Sequence, residues 1–135
     1  IMDDTTPLRR SIHGDHYESI GGVYLGMTNP TLETAYGQAD STVPDQDTSR
    51  LIFGSHHMDV YLRAGIVIGI RIYDGSDLKF EQSGLAQDTA ESYAKAYGWE
   101  TMPTVPADGA SISRAYKLPQ GEYLRFGQNF IQLSI

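Results

Sequence analysis

Two short clusters of histidine and aspartate have the residue types of a metal site. The first is His13-Gly14-Asp15-His16 and the second is His56-His57-Met58-Asp59. Imidazole and carboxylate groups suit zinc, copper or nickel, and the two clusters together would supply enough ligands. Their spacing matches no helical metal motif, and both fall in predicted leader or turn segments. We therefore expect exposed turn histidines and no bound metal, with convergence of the four histidines as the open alternative.

The sequence offers little for covalent or acid–base catalysis. Cysteine is absent, which removes thiolate nucleophiles, disulfides and iron–sulfur clusters. There is no Gly-x-Ser-x-Gly elbow, no glycine-rich dinucleotide loop and no Walker lysine. Ser55 is adjacent to His56, but adjacency in sequence does not place a base against a nucleophile, and no pair of acids stands out by its spacing. We expect a protein that is not an enzyme and uses no cofactor.

Length and charge narrow the function classes further. The chain has 135 residues, which suits one domain or two very small ones. Ten basic and 17 acidic residues give a net charge of −7, which opposes binding to the phosphates of a nucleic acid. No stretch approaches the roughly 20 apolar residues needed to span a bilayer. The first residue is Ile1, so a natural start upstream of it is expected, and both a cleaved signal peptide and a shortened chain fit.

Two passages of the chain are similar to one another. In the first, Asn29 and Pro30 predict the cap and first position of a helix that ends at Tyr36-Gly37. In the second, residues 88–91 have capping-box spacing and predict a helix that ends at Tyr97-Gly98. Each final glycine is expected to have a positive φ. This parallel predicts an internal duplication.

The same parallel continues into predicted strands. Tyr61-Leu62-Arg63-Ala64-Gly65 is repeated as Tyr123-Leu124-Arg125-Phe126-Gly127, and the apolar run after the first resembles residues 130–135 after the second. The predicted strands of the two passages cover residues 50–54, 57–63 and 66–73, and then 112–118, 122–126 and 130–135. Ala64-Gly65 is expected to form a tight hairpin turn. The proline-containing segments 41–48 and 101–110 are expected to be irregular.

These elements predict an α+β fold. It consists of two tandem helix-plus-three-strand repeats that share one antiparallel sheet, with the helices packed on one face. The expected organisation is a flexible leader over residues 1–15, a first repeat over 16–75 and a second repeat over 76–135, together one compact domain. Strand alternation would place Ile66, Ile68, Ile70 and Ile72 in the core, with Ile68 and Ile131 at equivalent places in the two repeats.

The chain also resembles a known family. Residues 20–28, Ile-Gly-Gly-Val-Tyr-Leu-Gly-Met-Thr, followed by a helix ending in Tyr36-Gly37, are similar to the leading motif of the SmpA/OmlA-type envelope lipoproteins. The later strand signature at residues 61–67 resembles theirs too. Two such units in tandem resemble the β-lactamase inhibitor protein (BLIP-like) architecture, a curved antiparallel sheet backed by helices. The lipoproteins' anchoring cysteine and the inhibitors' disulfide loops have no counterpart here, and no residue supports inhibition of a β-lactamase.

The resemblance implies an extracytoplasmic protein, periplasmic, envelope-associated or secreted, with a possible membrane tether upstream of Ile1. Two functions stay open. The first is a protein-binding module whose partner, of unknown identity, contacts the exposed face of the sheet. The second is a structural or accessory envelope domain with no dedicated recognition face.

Strand alternation selects the candidate partner-binding residues. If the isoleucines of the central strand face the core, the arginines and tyrosines between them face outward, and the repeat adds their counterparts. Tyrosine and arginine are enriched at interface hot spots, and arginines on an acidic chain could attract an acidic partner. The same residue types also suit exposed strand positions in general. The candidate residues are Tyr61, Arg63, Arg71, Tyr73, Tyr123, Arg125 and Phe130.

Overall fold

The computed structural model describes residues 18–86, 90–97, 104–105, 112–118 and 122–135. Its helices are Asn29–Tyr36 (α1) and Ala90–Tyr97 (α2), with a short 3-10 helix at Gly54–His56. Its strands are Ser41–Asp45 (β1), Thr48–Phe53 (β2), Met58–Arg63 (β3), Ile66–Tyr73 (β4), Thr104–Val105 (β5), Ile112–Lys117 (β6), Tyr123–Gly127 (β7) and Phe130–Ser134 (β8).

All eight strands belong to one antiparallel sheet. Their order is β1-β2-β3-β4-β8-β7-β6-β5, so each chain half contributes a block of consecutive strands and the two blocks meet at β4 and β8. Ile70 lies opposite Leu133 at this junction. The sheet dominates the fold, and both helices are only eight residues long.

The core lies on one face of the sheet. A row of buried side chains crosses five strands, and the pairing registers give it as Phe53, Met58, Ile72, Ile131 and Phe126. Tyr36 of α1 lies 5.9 Å from Phe53 and Tyr93 of α2 lies 5.5 Å from Phe126, measured between ring centroids. Both helices therefore cover the same face, as the helix patterns predicted. The opposite face has no helix over it in the described part of the chain.

The segment before α1 completes this core. Ile20, Val23, Leu25 and Met27 are buried, and Val67 of β4 exchanges backbone hydrogen bonds with residues 26–27. The apolar residues of the sequence motif 20–28 thus belong to the core. Its apolar side chains close the end of the core that the short α1 leaves open.

Glu18, at the start of that segment, is a buried carboxylate with several donors. It accepts hydrogen bonds from the backbone N–H groups of Gln82 at 2.6 Å and Ser83 at 3.2 Å, and from the Tyr97 hydroxyl at 2.6 Å. Burial raises the pKa of Glu18, although these hydrogen bonds oppose the shift. The carboxylate fastens α2 to the turn at residues 81–83.

The start of α1 differs from expectation by one residue. The cap of α1 is Thr28, whose side chain accepts from the Thr31 N–H, so Asn29 is the first helical residue and not the cap. Threonine caps nearly as well as asparagine, and the sequence pattern did not separate the two. The predicted positive φ of Gly37 is confirmed at 76°. Gly98 lies outside the described residues, as do residues 88–89 of the predicted capping box and the leader 1–15.

The prediction that residues 41–48 are irregular was wrong. They contain β1, which pairs with β2 in a register that includes Pro44 opposite Ser49. An edge strand uses only half of its N–H groups in the sheet, so a proline with no N–H is tolerated there. In the second proline segment, Thr104–Val105 forms β5, and the rest of residues 101–110 lies outside the described part.

A β-bulge changes which side chains of β4 face the core. Tyr61 pairs with Gly69 but Leu62 pairs with Val67, so Ile68 is the extra residue. Val67 is consequently buried, whereas Ile68 is half-buried among residues of the opposite face. A bulge shifts the alternation by one position, which strict period-two reasoning does not anticipate.

Two predictions fail because of this bulge. Ile66 is 38% exposed and Ile68 leaves the core, so only Ile70 and Ile72 of the four isoleucines occupy it. The expected equivalence of Ile68 with Ile131 is also wrong, since Ile131 is buried in the core. The Ala64-Gly65 hairpin is confirmed, with φ values of 54° and 76°.

Candidate partner-binding face

The face of the sheet opposite the helices carries two rows of polar and aromatic side chains. The strand registers give the first row as Asp59, Arg71, Gln132 and Arg125. They give the second row as Arg50, Tyr61, Gly69, Ser134 and Tyr123. We call this surface the outer face. It concentrates arginine on a chain that is acidic overall.

A pocket of about 330 Å³ opens on the outer face where the two chain halves meet. Gly69 lies in it, and the absence of a side chain there leaves a hollow between Tyr61 and Ser134. We call it the arginine pocket, because three guanidinium groups line it. Its lining residues are Thr48, Tyr61, Arg63, Ile68, Gly69, Arg71, Arg125, Gln132, Ser134 and Ile135.

Neighbouring side chains hold two of these arginines in place. The guanidinium carbon of Arg71 lies 3.8 Å from the centroid of the Phe130 ring, and Arg71 Nε donates to Gln132 Oε1 at 2.8 Å. Arg125 lies 4.9 Å from the Tyr123 centroid and donates to the Ser134 hydroxyl. Stacking a guanidinium on a ring fixes its plane while its edge stays available for hydrogen bonds.

Beside the pocket lies a second polar group, which we call the Asp59 network. The Asp59 side chain is almost fully buried, its Oδ2 lies 3.1 Å from Arg50 Nε, and the Tyr73 hydroxyl donates to the same oxygen at 2.7 Å. Burial, followed by the hydrogen bond to Asp59, raises the pKa of Tyr73 to about 12. Here the structure itself supplies the counter-ion of the arginine.

Five of the seven predicted residues belong to these two groups. Tyr61, Arg63, Arg71 and Arg125 line the arginine pocket, while Tyr73 belongs to the Asp59 network. Arg63 also reaches Asp47 at 3.4 Å, with both side chains more than half exposed.

Phe130 is a correction to the predicted contact surface. It lies on the outer face but is only 7% exposed, because Arg71 covers its ring and Tyr73 packs edge-on at 6.1 Å. Its ring also occupies the space where a side chain at Gly127 would lie. Phe130 therefore supports Arg71 and cannot offer its ring to a partner. Tyr123 has the same relation to Arg125, but it is half-buried.

Sequence reasoning missed the polar residues between the arginines. Gln132 and Ser134 alternate with buried residues of β8, so period-two reasoning from Ile131 and Leu133 could have found both. The Asp59 network had a weaker signal, because Arg50 and Asp59 meet only through a diagonal of the β2–β3 register. Ile68 had none, since its position depends on the bulge.

The two histidines of the second cluster separate in space. His56 Nδ1 lies 3.0 Å from Asp77 Oδ1, an interaction that lowers the pKa of Asp77, whereas the His57 ring lies beside Gly75. Among the described residues no three histidine or acidic side chains come close enough to hold a metal. His13 and His16 lie outside that part, so the convergence of all four histidines stays untested.

Comparison of the chain with protein-family models, with curated proteins and with solved structures gives no match. No described helix has the length and apolar character that crossing a membrane requires. The outer face therefore carries the functional argument by itself.

Proposed function

We propose that this chain is a non-enzymatic protein-binding module that contacts its partner through the outer face. One observation carries the proposal. The helices and the apolar core occupy one side of the sheet, while the other side gathers tyrosines and arginines around an open pocket. Side chains of these two types provide large contact areas with a polar tip, which suits a recognition surface.

The chemistry of the pocket favours a protein partner over the other classes. Its lining mixes guanidinium, amide, hydroxyl and aromatic groups, a typical composition for a protein interface. The net charge of −7 opposes long-range attraction of a nucleic acid or an anionic membrane. A local group of arginines on such a chain instead suits an acidic patch of limited size.

We further propose that the fold is a tandem repeat of BLIP-like architecture and SmpA/OmlA-type ancestry. The mirrored strand order supports this, because each half contributes a helix and its own block of strands. The sequence parallel is less regular than the topology. In the second half, Leu124 of the Tyr-Leu-Arg motif lies opposite Leu133. In the first half, Ile70, the sequence counterpart of Leu133, lies opposite Val60, which is two residues before Leu62 of the motif. The motif is therefore displaced by two residues between the two strand pairs.

The extracytoplasmic location, with a tether or signal peptide upstream, is a proposal that rests on the family resemblance. Recovery of the full precursor tests it directly. A leader with an apolar stretch, with or without a lipid-acceptor cysteine, is the expected result, and an ordinary cytosolic start would contradict the location.

The binding proposal is tested by affinity capture with two charge-reversed variants. Arg63→Glu changes the outer face at an exposed side chain, and Lys79→Glu changes another exposed position, one that does not line the arginine pocket. Circular dichroism first establishes that both variants are folded. We expect the Lys79 variant to retain the proteins captured from envelope extract by the parent chain, and the Arg63 variant to lose at least one of them.

Equal retention by both variants would contradict a partner-binding outer face. It would favour the alternative of a structural or accessory domain without a recognition surface.

A further inference from the structure

The arginine pocket contains positive charge that the described structure leaves uncompensated. Arg50 has Asp59 and Arg63 has Asp47, but no carboxylate of the described residues forms an ion pair with Arg71 or Arg125. On a chain with 17 acidic and ten basic residues, an arginine that forms no ion pair is unexpected; Asp59 lies opposite Arg71 in the β3–β4 register but pairs with Arg50. Two such arginines facing one pocket repel one another, and a bound anion would remove that repulsion.

The two arginines also lie near one another on the outer face, and both line the arginine pocket. Arg71 and Arg125 occupy neighbouring positions on either side of Gln132, in strands separated by β8 alone. Two strand spacings place their Cα atoms about 10 Å apart, and the side chain of Gln132 between them accepts a hydrogen bond from Arg71 Nε. Because the Phe130 and Tyr123 rings already restrict the arginines, little side-chain entropy remains to be lost on binding.

The other lining groups match a carboxylate at the end of a short apolar stem. Gln132 and Ser134 add polar atoms beside the arginines, while Ile68 and the Tyr61 ring supply apolar wall. The volume of about 330 Å³ lies at the small end of ligand sites, which span ~300–1,000 Å³. It accepts one side chain and excludes a folded segment.

We propose that the arginine pocket binds the carboxylate of an aspartate or glutamate side chain presented by the partner protein. This deepens the proposed function and rests on it, since the outer face must be the docking surface. Arg71 and Arg125 hold the carboxylate oxygens by charge-assisted hydrogen bonds. Gly69 is the specificity determinant, because any side chain there would enter the pocket that the acidic side chain fills.

Titration of the whole chain with short blocked peptides, followed by NMR, tests this proposal. The probes are a tetraglutamate peptide, a tetraglutamine peptide of the same length, and inorganic phosphate. The reporters are the Gly69 amide and the Nε–H signals of Arg71 and Arg125. We expect saturable shifts of these signals with tetraglutamate, and none with tetraglutamine.

Three variants separate a specific pocket from general attraction. Arg125→Gln should weaken tetraglutamate binding by about tenfold, the effect of losing one hydrogen bond to a charged group. Lys79→Gln removes the same charge away from the pocket and should change the affinity by less than about twofold, because an exposed and distant charge is screened. Gly69→Val keeps every charge but fills the hollow, and it should abolish the shifts while circular dichroism stays unchanged.

Several results would overturn the carboxylate site. These are equal losses in the Arg125 and Lys79 variants, equal shifts with tetraglutamine, or tighter binding of phosphate than of tetraglutamate. If the peptide fails to bind but Arg63→Glu still abolishes capture of a partner, the site proposal fails and the docking face stands. If capture is unaffected as well, both proposals fail.

Discussion

Two adjacent regions of the outer face differ in whether their arginines have a carboxylate counter-ion. In the Asp59 network, Arg50 meets a carboxylate that is itself almost buried, and Tyr73 completes the shell. In the arginine pocket, Arg71 and Arg125 are held by aromatic rings and by neutral polar groups. The first region pairs its charges internally, whereas Arg71 and Arg125 of the second form no ion pair with a described residue. This difference separates residues that stabilise the sheet from residues that can recognise a partner.

The burial of the acidic partner explains the contrast. Asp59 is 3% exposed, so it loses most of its hydration on folding and must be compensated by Arg50 and Tyr73. Arg71 and Arg125 are only partly buried, and water can still hydrate them. They therefore persist without a counter-ion at a modest cost in stability. We expect substitutions in the two regions to affect different measurements.

The largest effect on stability is expected from Asp59→Ala. The change removes the acceptor of the Tyr73 hydroxyl and the counter-ion of Arg50, and it should lower the free energy of unfolding by about 2 kcal/mol. Urea unfolding followed by circular dichroism measures this loss. A decrease below about 0.5 kcal/mol, the range of ordinary surface substitutions, would show that the network is not structural.

Tyr73→Phe is expected to have a smaller effect with a characteristic pH dependence. The folded pKa of about 12 exceeds the ordinary value of 10.0, so ionisation is disfavoured in the folded state. The corresponding stability is fully present below pH 10 and is lost as the pH rises towards 12. Removal of the hydroxyl should cost about 1 kcal/mol at neutral pH.

Urea unfolding at pH 9 and at pH 11 separates this contribution from the other tyrosines. Tyr36, Tyr61 and Tyr97 also have raised pKa values and remain in the variant. The parent chain should therefore lose more stability than Tyr73→Phe over this interval. Equal losses in both proteins would show that Tyr73 ionises normally.

The sequence predicted the extent of β4 and the face on which its polar side chains lie, but it did not predict the bulge in β4 or the edge strand β1. β4 occupies the predicted residues 66–73, and Arg71 and Tyr73 lie on the predicted outer face. The bulge at Ile68 could not be predicted, because the extra, unpaired residue is one more apolar residue in the run 66–70 and leaves no mark on the sequence pattern. β1 was missed since the tolerance of Pro44 depends on its being at an edge, which is a property of the assembled sheet.

The candidate site shows the same division. Alternation could place Arg71 and Arg125 on one face, but it could not show which arginines have a carboxylate nearby. That depends on the diagonal between Arg50 and Asp59, and on the rings of Phe130 and Tyr123 under the other two. Phe130 was assigned to the contact surface because alternation predicts its face but not that Arg71 covers its ring.

A substitution in the hairpin turn between β3 and β4 provides a control for the comparison of the Asp59 network with the arginine pocket. Ala64 has a φ of 54° in the hairpin between β3 and β4, a conformation that asparagine adopts more readily than alanine. Ala64→Asn should raise the free energy of unfolding by about 0.5 kcal/mol, a typical gain from corrected turn chemistry. Tetraglutamate affinity should stay unchanged, since residue 64 does not line the pocket. An altered affinity would indicate that the pocket responds to sheet stability in general.

The smallest effect on stability is expected from Arg125→Gln. The arginine has no ion pair in the described structure, and the relief of its repulsion with Arg71 offsets the loss of its hydrogen bond to the Ser134 hydroxyl. The free energy of unfolding should change by less than about 0.5 kcal/mol. A loss as large as that of Asp59→Ala, measured by the same urea unfolding, would mean that Arg125 is a structural residue.

The contrast between the Asp59 network and the arginine pocket is tested by measuring stability and peptide affinity on the same two variants, Asp59→Ala and Arg125→Gln. Urea unfolding gives the stability of each, and tetraglutamate titration by NMR gives the affinity of each under conditions where both are folded. We predict a crossover, in which Asp59→Ala is destabilised but binds the peptide at least as tightly as the parent, and Arg125→Gln is stable but binds about tenfold more weakly. Parallel losses of stability and affinity in both variants would contradict it.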